Sequence, residues 1–153
     1  KITSLTEQNA QLLVIQSKQR FLEEVLAMSE LEQLDLEVYY NGDRALTEFK
    51  IKCYQGNSGS WKYVGMYTPD FLILKRKDGK IYKAIIVETK GAIYANDPMF
   101  REKRFFMERE FVRQNNAKYQ YQRFDYLYLE DSWLEAERIR MTHERICAFF
   151  REI

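Results

Sequence analysis

The sequence predicts an α/β fold, a mixed β-sheet flanked by helices, and three observations carry that prediction. The chain opens on apolar residues that recur with helical period. Its middle holds extended runs separated by turn residues. A helix, a strand and a last helix then follow. A meander of antiparallel strands succeeded by a crossover helix and a further strand gives a mixed sheet with an αβββαβ core.

From about Thr6 to Leu36 the spacing of Leu12, Leu13, Phe21, Leu22, Val25, Leu26 and Met28 predicts a helix. Asn41-Gly42-Asp43 is a turn signal, and Leu46 to Tyr54 alternates as a strand. Gln55 to Ser60, with two Gly, two Ser and an Asn, reads as a loop. A second extended run, Trp61 to Leu74, is interrupted at Thr68-Pro69, because proline cannot donate to a strand ladder. Lys77-Asp78-Gly79 is a hairpin turn leading into the apolar strand Ile81 to Val87. A loop runs from Gly91 to Pro98, then a helix is expected from Met99 to Asn115 and a strand from Phe124 to Leu129. Ser132 with Glu135 three residues later reads as a capping box that opens a last helix to the C-terminus.

Composition narrows the function. The 153 residues fit one domain, 1–153, able to hold a core, and eleven Tyr and ten Phe argue against disorder. The formal charge of +1 supplies no overall field that would draw the chain to a polyanion. No apolar run has the length of a membrane span and no signal-peptide pattern opens the chain. Cys53 and Cys147 are expected to be reduced thiols of a cytoplasmic protein. A single histidine excludes HEXXH metalloproteases, His-rich zinc hydrolases and ββα-type metal nucleases.

The informative stretch runs from Tyr67 to Gly91. Asp70 opens one strand of a hairpin, and Glu88 and Lys90 close the other, projecting to one face by the period of two. Their neighbours, Phe71-Leu72-Ile73-Leu74 and Ala84-Ile85-Ile86-Val87, are apolar, and charges beside a doubly buried strand are costly unless paired or metal-bound. A two-residue Asp78-Gly79 loop would pair Asp70 with Val87 and set it on the face opposite Glu88. The expected three-residue loop pairs Asp70 with Ile86, so that the two carboxylates share a face; a bulge near Pro69 would have the same effect. Two hard carboxylates plus waters suit Mg²⁺, with Mn²⁺ as an alternative. Such an ion stabilises charge on a phosphate and acidifies a bound water, while Lys90 offsets developing negative charge.

The segments Thr68-Pro69-Asp70-Phe71 and Val87-Glu88-Thr89-Lys90-Gly91 resemble the signature of the PD-(D/E)XK nuclease superfamily. More narrowly they resemble the C-terminal endonuclease domain of type III restriction enzymes and related helicase-fused nucleases, with Asp97 and Lys103 in places comparable to an Asp and a Lys that open a basic helix. The resemblance covers Tyr67 to Gln114 well and the rest in element order. It implies a restriction-endonuclease-like fold, Asp70 and Glu88 as metal ligands, the Thr89 carbonyl as a further ligand and Lys90 as catalytic lysine. It further implies double-stranded DNA as substrate and a helicase or translocase portion elsewhere in a longer parent chain, through which alone ATP would act. A first residue of Lys rather than Met fits that expectation. A modification or recognition subunit is a further implied partner. Many members add a Glu from the first helix. Here Gln19 stands in its place, and Glu24, at the edge of the Phe21/Leu22/Val25 face, is the candidate third acid.

Arg101, Lys103 and Arg104 on the predicted Met99–Asn115 helix are candidates for contacting phosphates, Lys103 foremost. His143 falls on the Ile139/Ile146/Phe149/Phe150 seam and reads as a core-edge residue, and Tyr119, Tyr121, Tyr126 and Tyr128 as strand packing. Three rivals to the restriction nuclease stand: a stand-alone resolvase- or transposase-like nuclease, a catalytically silent nucleic-acid-binding module of the same fold, and a protein-interaction domain.

Overall fold

A computed structural model of the chain describes residues 16, 18–41, 50–56 and 59–151. In order these form α1 (residues 18–26), α2 (Ser29–Gln33), β1 (Leu36–Tyr40), β2 (Ile51–Gln55), β3 (Lys62–Tyr67), β4 (Phe71–Lys77), β5 (Lys80–Lys90), α3 (Ala92–Ala95), α4 (Pro98–Phe106), a π-helical turn (Met107–Phe111), α5 (Val112–Asn116), β6 (Phe124–Glu130) and α6 (Glu135–Phe150). The main sheet runs β1-β4-β5-β6, and β2-β3 is a separate hairpin. The β1–β4 and β4–β5 pairs are antiparallel and β5–β6 is parallel, so the sheet is mixed and flanked by helices, as expected. No described helix is long and apolar enough to cross a membrane.

The apolar residues of β4, β5 and β6 alternate between two cores. Phe71, Ile73, Ile85, Val87, Leu127 and Leu129 pack beneath α1 and α6 with Phe21, Val25, Ile146 and Phe150. Ile86, Tyr126 and Tyr128 pack on the other face with Phe100, Phe106 and Met107 and with Ile51, Cys53 and Tyr67 of the hairpin. Ile85, Ile86 and Val87 are fully buried, each burial contributing about 1.5–3 kcal/mol, which makes β5 the spine of the fold.

Several expectations need correction. The predicted Thr6–Leu36 helix lies partly outside the described residues. Within them it breaks after α1, resumes as α2, and stops at Asp35, whose φ of 55° is left-handed. Leu36–Tyr40 is then a strand, which the helical reading had absorbed. Its Val, Tyr and Tyr suit an edge strand, and Glu37 binds Arg76 of β4 at 2.7 Å. Of the predicted Leu46–Tyr54 strand, residues 46–49 lie outside the described residues, and Ile51–Gln55 is the strand observed. The Trp61–Leu74 run divides at Thr68-Pro69-Asp70 into strands of two different sheets. The Met99–Asn115 helix starts at Pro98, capped by the Asp97 carboxylate on the Met99 amide, and carries a π-helical turn in its middle. The Ser132–Glu135 capping box is absent, because Ser132 Oγ donates to Glu130 instead.

The hairpin turn differs too. Lys77 pairs with Lys80 across a two-residue loop whose residues Asp78 (φ 52°) and Gly79 (φ 75°) both have positive φ, as a type I′ turn requires. A bulge at Tyr82 then shifts the register, since Lys75 pairs with Lys83 and Arg76 with Ile81. Beyond it Phe71 opposes Val87, and the position before Phe71 falls across from Glu88. The parity expected from a three-residue turn is therefore recovered through a bulge on β5.

Candidate active site

Asp70 sits where β3 gives way to β4. Asn41, at the end of β1, clamps that corner: its backbone N–H donates to the Asp70 carbonyl at 2.7 Å and its Nδ2 to the Pro69 carbonyl at 3.0 Å. The proline fixes the bend, and the clamp makes Asp70 a rigid residue at the end of the sheet. Its side chain is almost wholly buried. Oδ2 accepts from both the amide and the Oγ1 of Thr89, each at 3.0 Å, and Oδ1 accepts from Lys18 Nζ at 2.7 Å.

Glu88 lies on the neighbouring strand, 2 % exposed. Its Oε2 accepts from the Tyr67 hydroxyl at 2.6 Å and its Oε1 lies 3.2 Å from Lys90 Nζ. Burial, then the negative charge of Asp70, push the Glu88 carboxyl up to about 7, against the opposing pull of Lys90 and the Tyr67 bond. Burial and Glu88 together drive the Tyr67 phenol well above its ordinary range, so it remains a donor. Tyr126, whose hydroxyl is 3.3 Å from that of Tyr67, continues the chain of buried phenols.

Glu88 and Lys90 open into a cleft of about 540 Å³ between the β2–β3 hairpin and α4, lined also by Lys50, Tyr67, Asp97, Phe100 and Lys103. Three of its walls thus carry a lysine. Lys90 Nζ rests 4.3 Å from the centre of the Phe100 ring, and the Lys103 stem passes close over Gly65, where a Cβ would stand 3.3 Å from its Cε.

Asp70 does not line this cleft. Its partners Lys18 and Thr89 belong to the α1 side of the sheet end, and those of Glu88 to the hairpin side. The shared face expected of the two carboxylates is therefore not seen: Asp70 lies in the bend before β4, where its side chain turns to Thr89. The two acids are adjacent, since each charge acts on the other's surroundings, but every one of their four oxygens is held by a protein donor. As a donor set the pair offers the two hard carboxylates a divalent cation takes, and an ion there would displace Lys18 and Lys90, whose ammonium groups balance the two charges.

Glu24 is not brought to the site. It faces α6, where burial and a hydrogen bond shared with Glu135 raise its carboxyl to about 7, and its Oε1 is buried without a partner. Of the helix cations only Lys103 enters the cleft. Arg101 lines a separate groove with Tyr54, Trp61 and Phe105, and Arg104 is stacked 3.5 Å over Tyr128 and paired with Glu108 at 2.8 Å. Tyr126 and Tyr128 are core residues, as expected.

Sequence reasoning missed Lys18 and Tyr67. Lys18 stands three and four residues before Phe21 and Leu22, on the buried stripe of α1, which is the signal a search for acids alone passes over. Burial works to lower its pKa, yet Asp70 outweighs it and the net shift is upward, so the ammonium is retained.

No family model, no curated protein and no solved structure matches the chain.

Proposed function

We propose that the chain is a metal-dependent endodeoxyribonuclease domain of the PD-(D/E)XK type, with a restriction-endonuclease-like fold, serving as the cleavage domain of a type III restriction enzyme. The observation that carries this reading is the meeting of Glu88 and Lys90 at the mouth of a lysine-lined cleft, on the strand beside a clamped Asp70. Asp70, Glu88 and the Thr89 carbonyl would hold Mg²⁺ or Mn²⁺. Bound there, the ion would act as a Lewis acid on the phosphodiester and acidify a water.

The protein's own part is positional and electrostatic. Tyr67 fixes the Glu88 carboxylate by donating to one of its oxygens. Lys90, partly exposed and already turned to Glu88, offers an ammonium that can hold an attacking water and offset charge growing on the phosphate. Lys50 and Lys103, on opposite walls, can grip phosphates on either side of the reacting one. With so little net charge, tight DNA binding falls to the rest of a longer parent protein, including its helicase or translocase portion and a recognition subunit.

One observation favours a second reading, the catalytically silent binding module. The Lys18 ammonium already sits on Asp70 where a cation would otherwise be expected. Plasmid cleavage with Mg²⁺ by the parent protein separates the two: wild type cuts, and Asp70→Ala and Lys90→Ala do not. Equal cutting by both variants rejects the assignment, and binding without any cutting by wild type supports the silent module.

A further inference from the structure

A second cluster of ligand-type side chains lies far along the fold from the cleft, where α2 rests on the C-terminal half of α6. His143 and Cys147 are four residues apart on α6 and so share one face. His143 Nε2 is 2.8 Å from Glu30 Oε1 of α2 and 3.8 Å from Cys147 Sγ, and the three donor atoms lie within 4.8 Å of one another. A single nitrogen is thus approached by an oxygen and a sulfur together. An ordinary His–Glu hydrogen bond explains the first contact and has no use for the second.

From this convergence we infer a site for one borderline-soft divalent cation of the Zn²⁺ class, held by Glu30, His143 and Cys147 with water in the fourth position. Zn–N, Zn–O and Zn–S bonds of about 2.0–2.3 Å at a tetrahedral angle set the donors roughly 3.3–3.6 Å apart. The observed 2.8 and 3.8 Å from His143 bracket that range and the third edge, Glu30 to Cys147, is no more than 4.8 Å, so side-chain rotation that draws these two donors together completes the site. A thiolate, a neutral imidazole and a carboxylate bring two negative charges, which a divalent ion neutralises, and the thiolate and imidazole select against Mg²⁺. The donors are held in place from behind. Ile146 and Phe150 of α6 are fully buried, and Leu31 and Leu34 pack α2 against the same core. The ion would staple α2 to α6. Both cysteines are free, and Cys53 does not compete, since burial pushes its thiol up to about 11.

The inference stands apart from the nuclease reading, and Co²⁺ distinguishes the two sites. Titrating the EDTA-treated chain with Co²⁺ is expected to give one equivalent with a thiolate-to-cobalt charge-transfer band in the near ultraviolet. Cys147→Ser loses the band, His143→Gln weakens binding by more than about tenfold, and Glu88→Gln leaves the band in place. Zn²⁺ then shields Cys147 of the wild type from iodoacetamide, read by mass spectrometry of its peptide, a result that needs no variant to fold. Absence of the band, its survival in Cys147→Ser, or equal alkylation with and without Zn²⁺ overturns the site.

Discussion

Two carboxyls among the described residues are pushed up to about 7, and they sit in regions of different character. Glu88 lies at the end of the central strand, beside Asp70 and Lys90, at the mouth of a lysine-lined cleft. Glu24 lies in the seam between α1 and α6, facing Glu135 and Arg138. In both, loss of hydration is the leading cause of the shift. The contrast shows that a perturbed acid marks a functional site only where convergent groups and room for a substrate accompany it. The same contrast removes Glu24 from the catalytic set that the sequence suggested.

The comparison breaks most readily at activity. Glu88→Gln is expected to lower Mg²⁺-dependent plasmid cleavage by roughly a thousandfold, the scale of losing a preorganised electrostatic group, while Glu24→Gln cuts as wild type does. Cleavage lost equally in both variants would erase the distinction between the two carboxyls.

Stability is the next readout. Tyr67→Phe leaves a buried Glu88 oxygen without its donor and should cost about 1–3 kcal/mol in urea unfolding. Removing an exposed partner would cost far less. Arg104→Ala should likewise destabilise, by loss of its stacking on Tyr128, with little change in DNA affinity. Lys103→Ala should instead weaken DNA binding a few-fold and reduce the salt dependence by about one ion, read by fluorescence anisotropy across salt concentrations.

The smallest effect concerns pH. A carboxyl raised from its usual 4.5 to about 7 binds a proton more tightly in the folded chain, so its contribution to stability declines as pH rises through that interval. Glu24→Gln removes one such contribution. Its melting temperature should match wild type near pH 4.5 and exceed it by about a few degrees at pH 8, measured by circular dichroism. An unchanged difference across the range would contradict the seam described for Glu24.

The parts legible in the sequence were those written in local chemistry. Pro69 marked the corner that holds Asp70, Asp78-Gly79 the hairpin, and the apolar run to Val87 the central strand. Less local features were not. The bulge at Tyr82 has no residue signature, and the expected three-residue turn reached the right parity only because the two devices shift the register by one residue in opposite directions, which sets side chains on the same face either way. The strand Leu36–Tyr40 was hidden because the leucines before it kept a helical spacing up to Asp35, whose left-handed backbone ends the helix. The Lys18–Asp70 pair links residues 52 apart, and only the folded chain brings them together.

Binding of Mn²⁺, followed by its electron paramagnetic resonance signal, tests the central claim without requiring turnover. The wild type should take up an ion that Mg²⁺ displaces, and Asp70→Asn and Glu88→Gln should each abolish that uptake. Wild type that leaves Mn²⁺ free in solution, or variants that retain it undiminished, would contradict a divalent-ion site at these two acids.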